Sequence, residues 1–109
     1  MKLVVAIVQN QDEAVLGNAF LEANIQATKL SSTGGFLKSG NTTFIVGVED
    51  DAVDEVLDII KDSSQQREQI VAYPANLDMN LELSNTFPVK VEVGGAIVFV
   101  LPIDSFYRF

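Results

Sequence analysis

The 109-residue chain has no cysteine, no histidine and no tryptophan. The first absence excludes disulfides, a thiolate nucleophile and Cys/His zinc sites. The second removes every imidazole base, so Ser31, Ser32 and Ser39 have no histidine to activate them. Basic residues are also scarce. Seven Lys and Arg stand against fifteen Asp and Glu, giving a formal charge of −8. Affinity for nucleic-acid polymers comes mainly from clustered cations displacing counterions, and no basic stripe exists here. Anionic membranes are disfavoured by the same field. No apolar segment approaches the roughly 18 residues that a membrane span needs. The opening MKLVVAIVQNQDEA has one basic residue before a short apolar run and no small-residue cleavage site. It reads as a first strand rather than a signal peptide, which predicts a cytoplasmic location.

Apolar residues, by contrast, are plentiful: 48% of the chain, with a mean hydropathy of +0.24. The length predicts one domain over residues 1–109. For so small a domain the apolar surplus suggests surface covered by a partner. Leu3 to Val8 is a continuous apolar run, as in a central strand covered on both faces. Asn10 or Asp12 is suited to cap a helix whose buried stripe is Leu16, Phe20 and Ala23, with Asn24 closing it. From Ile25 to Thr33 the period changes to two, with Ile25 and Ala27 facing one way and Asn24, Gln26 and Thr28 the other. A glycine-rich connection then leads to an apolar strand, Phe44–Val48. Asp50 and Asp51 are candidate caps for a second helix, with a stripe of Val53, Val56, Leu57 and Ile60. Arg67 to Tyr73 reads as a strand stopped by Pro74, and Ala75 to Thr86 as a polar loop. Val89 to Leu101 reads as one long strand, bulged or bent at Gly94–Gly95.

This order predicts an α+β fold, a ferredoxin-like βαββαβ sandwich with an extra strand and a long loop before the last strand. Two helices cover one side of such a sheet. The first and last strands are apolar at nearly every position, so the other side calls for burial too, most simply by copies of the same chain in a closed ring.

Chemistry is best placed in NIQATKLSSTGGFLKSGNTTFIVG, residues 24–47. Gly34–Gly35 can adopt positive φ and bring backbone N–H groups to an anion. Phe36 and Leu37, beside glycines, suit a flat nucleobase, since stacking contributes about 1–3 kcal/mol per base. The Asn41 amide can pair with an adenine edge. A packed turn with no ligand is the other reading of the same residues, which form neither a Walker loop nor a dinucleotide fingerprint. The carboxylates of Glu49-Asp50-Asp51 and Asp54-Glu55 read as helix-start charge rather than as an acid–base pair, and their spacing is not that of a calcium loop.

Two longer blocks narrow the choice. ATKL-x-x-TGGFL-K-x-GNTTF followed by GVED, and VEVGGA-x-VFVLP near the C-terminus, resemble the cyclic-di-AMP receptor family of PII-like signalling proteins, over nearly the whole chain. The resemblance implies a PII-like homotrimer with three ligand sites between subunits, no catalytic turnover and no cofactor besides the nucleotide. It also implies signalling through loop movement to an unknown protein target. The ligand residues it implies are Asn24, Thr28, Gly35, Phe36, Leu37, Asn41, Gly47 and Phe99. In that pattern Thr28 meets phosphate, and Asn41 and Gly47 read adenine. Phe36, Leu37 and Phe99 pack the bases and riboses.

The chain departs from the family pattern in three places. Gln26 stands where arginine is usual, Arg108 where a glutamine is usual, and AYPANLDMNLELSNTFPV replaces a glycine-rich stretch. Gln26 forgoes a charge-assisted contact of about 1.5–3 kcal/mol, and Arg108 is the candidate to restore the cation. The rival expectations are a PII-like regulator that senses ATP or only a protein partner, and an acyl-phosphate hydrolase. The second lacks an arginine phosphate cradle in QNQDE.

Overall fold

The protein is described by a computed structural model covering residues 1–32, 40–74 and 86–109. It is an α+β structure of two helices and antiparallel sheet, consistent with a small ferredoxin-like fold. β1 (Lys2–Gln9) is followed by a 3-10 turn and α1 (Glu13–Glu22). Next come β2 (Thr28–Ser32), β3 (Asn41–Val48) and α2 (Val53–Ser64), the last again entered through a 3-10 turn. β4 (Arg67–Pro74), β5 (Thr86–Val93) and β6 (Ala96–Pro102) complete the described elements.

The main sheet runs β2-β3-β1-β6, all antiparallel. Strand alternation puts Val4, Ala6 and Val8 of β1 on one face with Phe44 and Val46 of β3. Both helices lie there. Leu16 and Phe20 from α1, and Val56 and Ile60 from α2, close a core in which each of these residues is at most 2% exposed. Phe20 meets Phe44 edge-on at 5.7 Å between ring centres. Such a pair adds about 0.5–1.5 kcal/mol beyond area burial.

The opposite face carries Leu3, Val5, Ile7, Thr43, Ile45, Thr28 and Leu30, with Ile97, Phe99 and Leu101 from β6. No described element covers it. Phe99 is 52% exposed and Ile97 60%. The apolar surplus of the composition is therefore concentrated on one side of the sheet.

Local start and stop devices differ from the sequence expectation. Neither Asn10 nor Asp12 caps α1 through its side chain, and neither Asp50 nor Asp51 caps α2. Each helix instead grows out of a 3-10 turn. Asn10, Asp12 and Asp50 are engaged elsewhere. Asn10 Oδ1 lies 2.6 Å from the Thr42 hydroxyl, Asp50 pairs with the N-terminal ammonium at 2.9 Å, and Asp12 pairs with Arg67.

β2 begins at Thr28, not Ile25. The alternation across 24–28 nonetheless holds: Ile25 and Ala27 pack against the core, while Asn24, Gln26 and Thr28 are exposed.

The long strand expected over Val89–Leu101 is two strands in two sheets. β4 and β5 pair only with each other, forming a two-stranded ribbon, whereas β6 joins β1. Gly94 and Gly95, at φ +83° and +97°, make the break. A side chain at Gly94 would collide with Arg67 Nη1 and the Gln65 carbonyl. Arg67 occupies that space because it crosses to Asp12, a carboxylate only 2% exposed, and binds it through Nη2 at 2.7 Å and Nη1 at 3.5 Å. The ribbon is tied down further by Gly95 N–H donating to the Ser64 carbonyl, and by Gly94 N–H donating to Gln9 Oε1 at 2.8 Å. The expected loop over Ala75–Thr86 falls outside the described residues except for Thr86, which begins β5.

Candidate functional site

The first group of candidates follows from how α1 ends. Asn24 adopts φ 59°, the left-handed conformation that asparagine tolerates better than most side chains. Its N–H donates to the Leu21 carbonyl at 3.1 Å and the Ile25 N–H donates to the Phe20 carbonyl at 2.9 Å. That pair of bonds is a Schellman stop. It turns the chain so that Ile25 and Ala27 meet the core and Asn24, Gln26 and Thr28 stay outside. Together with Leu21 these residues line an open depression of about 530 Å³.

The second group lies on the uncovered sheet face. Thr28 is opposite Ile45, Ile45 opposite Val5, and Val5 opposite Phe99. Thr28 and Phe99 thus share one row but sit on the two outer strands, three strand spacings or about 14 Å apart. Gly47 is on the same face. Continuing the β2/β3 register would place Gln26 across from it. An added Cβ at Gly47 would meet only Ile103 Cδ1, at an ordinary 3.9 Å. Packing among the described residues therefore gives no reason for glycine there, and its bareness leaves room on the open side.

Asn41 begins β3 at the other end of the face, opposite Gln9. It is held by its neighbours. Gly40 precedes it at φ +67°, and a side chain on Gly40 would strike the Asn10 amide. Thr42 follows it, fully buried, with its hydroxyl 2.6 Å from Asn10 Oδ1 and 3.0 Å from Glu13 Oε2. The single hydroxyl proton serves one of these at a time. Glu13 is in turn paired with Lys29 at 2.6 Å. Hydrogen bonds from Lys29 and Thr42 hold the Glu13 carboxyl below its ordinary range.

Gly35, Phe36 and Leu37 lie outside the described residues. Arg108 is exposed in the tail beyond β6, between Tyr107 and Phe109, whose rings stack at 6.1 Å. Within one chain, then, the structure brings Asn24, Gln26 and Thr28 together. It sets Gly47 on the same sheet face and leaves Asn41 and Phe99 apart from that group. Gln9 was missed by sequence reasoning, although the two-residue period places it on the same face as Val5 and Ile7.

The described candidates, apart from Arg108, are carboxamides, a hydroxyl, a glycine and an aromatic ring. They can hydrogen-bond and stack. Among the described residues no group of acids or other donors is gathered for a metal ion, and no helix is long and apolar enough to cross a membrane.

A small α+β module with polar carboxamides and one exposed phenylalanine around a bare sheet face is a binding module in form. The model of the cyclic-di-AMP receptor family matches residues 1–109, and the chain belongs to that family. It is also similar to a solved structure from Pediococcus pentosaceus ATCC 25745, described as a functionally unknown protein. The identity is 51%, the TM-score 0.80, and the match covers 99% of this chain and 96% of that one.

Proposed function

We propose that this chain is a PII-like receptor for the second messenger cyclic-di-AMP and works without catalytic turnover. The nucleotide sits at seams between copies of the chain in a homotrimer, and occupancy is relayed through loop movement to a protein target. Family membership supports the ligand class. The observation that carries the seam is the row Thr28–Ile45–Val5–Phe99, whose two candidate ends lie on opposite edges of an exposed apolar face. One copy offers the Asn24–Thr28 side, with Gly35, Phe36 and Leu37 from the same stretch of sequence. The neighbouring copy offers Phe99 and the Arg108 tail.

Gln26 favours a second reading, a regulator of the same build that has lost cyclic-di-AMP and senses ATP or only a partner protein. Titration calorimetry with cyclic-di-AMP, cyclic-di-GMP and ATP separates the two. Binding of the first in the micromolar range or tighter, about −8 kcal/mol, is the expected result. Binding of ATP alone, or silence from all three, would overturn it.

A further inference from the structure

We infer that Gln9 is a base-reading residue of the nucleotide site, acting beside Asn41 as a hydrogen-bond donor of fixed direction. This rests on the cyclic-di-AMP reading and adds a residue to it. Gln9 closes β1 on the uncovered face and is the direct cross-strand partner of Asn41. Directly opposed side chains start about 4.5–5.5 Å apart. Both line an open depression of about 310 Å³ at the root of the ribbon, with Ile97 on one side and Gly94 and Gly95 on the other. The described residues that line it are all uncharged, which suits a heterocyclic base better than a phosphate.

A glutamine amide is normally ambiguous, because it can turn over and exchange its donor end with its acceptor end. Here Oε1 is claimed twice. The Gly94 N–H donates to it at 2.8 Å, and Gln11 Nε2 donates to it at 2.9 Å. Gln11 carries an amide that can turn over as well, but the Gly94 N–H is a backbone donor that cannot. A flipped Gln9 would set its NH2 against that N–H, so the Nε2 end is the one left over. Among the described residues no acceptor takes it. The clamp is itself anchored, since Gly94 is held under Arg67, which is bound to the buried Asp12.

The class of ligand follows from that polarity. A fixed donor next to a second carboxamide matches a base edge that alternates acceptor nitrogen and amino group, as adenine does with N1 or N7 beside N6. Guanine fits less well on either edge. Its Watson–Crick edge presents N1–H and N2–H donors, which would oppose the Gln9 donor, and its N7–O6 edge presents two acceptors and no amino group for the amide oxygen of Asn41. The exposed Ile97 side chain is available to the face of the base.

The test is a competition titration of cyclic-di-AMP against cyclic-di-GMP on the intact protein and on Gln9→Glu. That variant keeps an acceptor for the Gly94 N–H and replaces the donor end with a second acceptor. The expected result is a loss of roughly tenfold or more in cyclic-di-AMP affinity, together with a narrowed preference over cyclic-di-GMP. Melting without ligand should stay within about 2 °C. The added charge alone would weaken both nucleotides alike through their phosphates, so the preference is the deciding readout. Gln9→Met, which carries no charge, should narrow it too. An unchanged preference in both variants would overturn the role of Gln9 while leaving the receptor reading intact. An unmodified protein that binds no cyclic-di-AMP would overturn both.

Discussion

Thr28 and Phe99 stand at the two ends of one cross-strand row, with Ile45 and Val5 between them. Neither can grip one base together with the other inside a single chain. For a site in the seam, Thr28→Ala and Phe99→Ala should each lower cyclic-di-AMP affinity roughly tenfold or more, about 1.4 kcal/mol. Co-refolding the two variants should then recover part of the high-affinity sites, because some seams combine an intact edge from each copy. A mixture that binds as weakly as its components would show that the two residues do not share a site.

Asn24 has a structural duty as well as a proposed binding one, and two substitutions separate them. Alanine at φ 59° is strained and should cost about 1 kcal/mol, whereas glycine accepts that conformation freely. Asn24→Gly is therefore expected to melt no lower than the parent protein while binding cyclic-di-AMP more weakly. Thermal melts read the first effect and calorimetry the second. Full binding by Asn24→Gly would confine Asn24 to ending α1.

Arg108→Ala is expected to weaken cyclic-di-AMP binding at least tenfold, roughly 1.4 kcal/mol, if its guanidinium supplies the charge that Gln26 lacks. The side chain is exposed in the tail, so the fold should not change. An unaltered dissociation constant would reduce Arg108 to a surface residue.

The ribbon root offers a stability test free of any ligand. Arg67→Met would leave Asp12 buried without its partner, at a cost of about 2 kcal/mol or roughly 8 °C in melting temperature. Gly94→Ala should be similarly harmful, since φ +83° and the Arg67 side chain both exclude a Cβ. Gly95→Ala meets only the strained φ and no close neighbour, so it should cost less. Equal losses at the two glycines would mean that backbone conformation alone sets the requirement.

Acid should erase one contact selectively. Lys29 and Thr42 lower the Glu13 carboxyl below its ordinary value of 4.5. A carboxyl lowered on folding stabilises the fold above its unfolded value and loses that contribution as pH falls through the lowered one. The melting difference between the parent protein and Lys29→Met should be constant above about pH 5.5 and shrink in stronger acid. A difference independent of pH would point to lost packing of the lysine stem.

Much of this was legible in the sequence because burial writes itself as a period. Leu16 and Phe20 marked the inner stripe of α1, and the switch to a two-residue rhythm at Ile25 sorted Asn24, Gln26 and Thr28 to the outside. What failed was long-range or local in conformation. Asp12 looks like a helix cap because nothing nearby reveals Arg67, fifty-five positions later. Val89 to Leu101 reads as one strand because both halves are apolar; only the paired positive φ values of Gly94 and Gly95 show that they belong to different sheets. Gln9 escaped notice because a glutamine ending a strand looks like solvent-facing trim until Gly94 is seen to fix its amide.

Native mass spectrometry of the protein with cyclic-di-AMP at micromolar concentration tests the whole arrangement in one spectrum. Copies that cover one another's bare sheet faces and hold the nucleotide in the seams should appear as three chains carrying three nucleotides. Single chains, or an assembly that carries none, would contradict it.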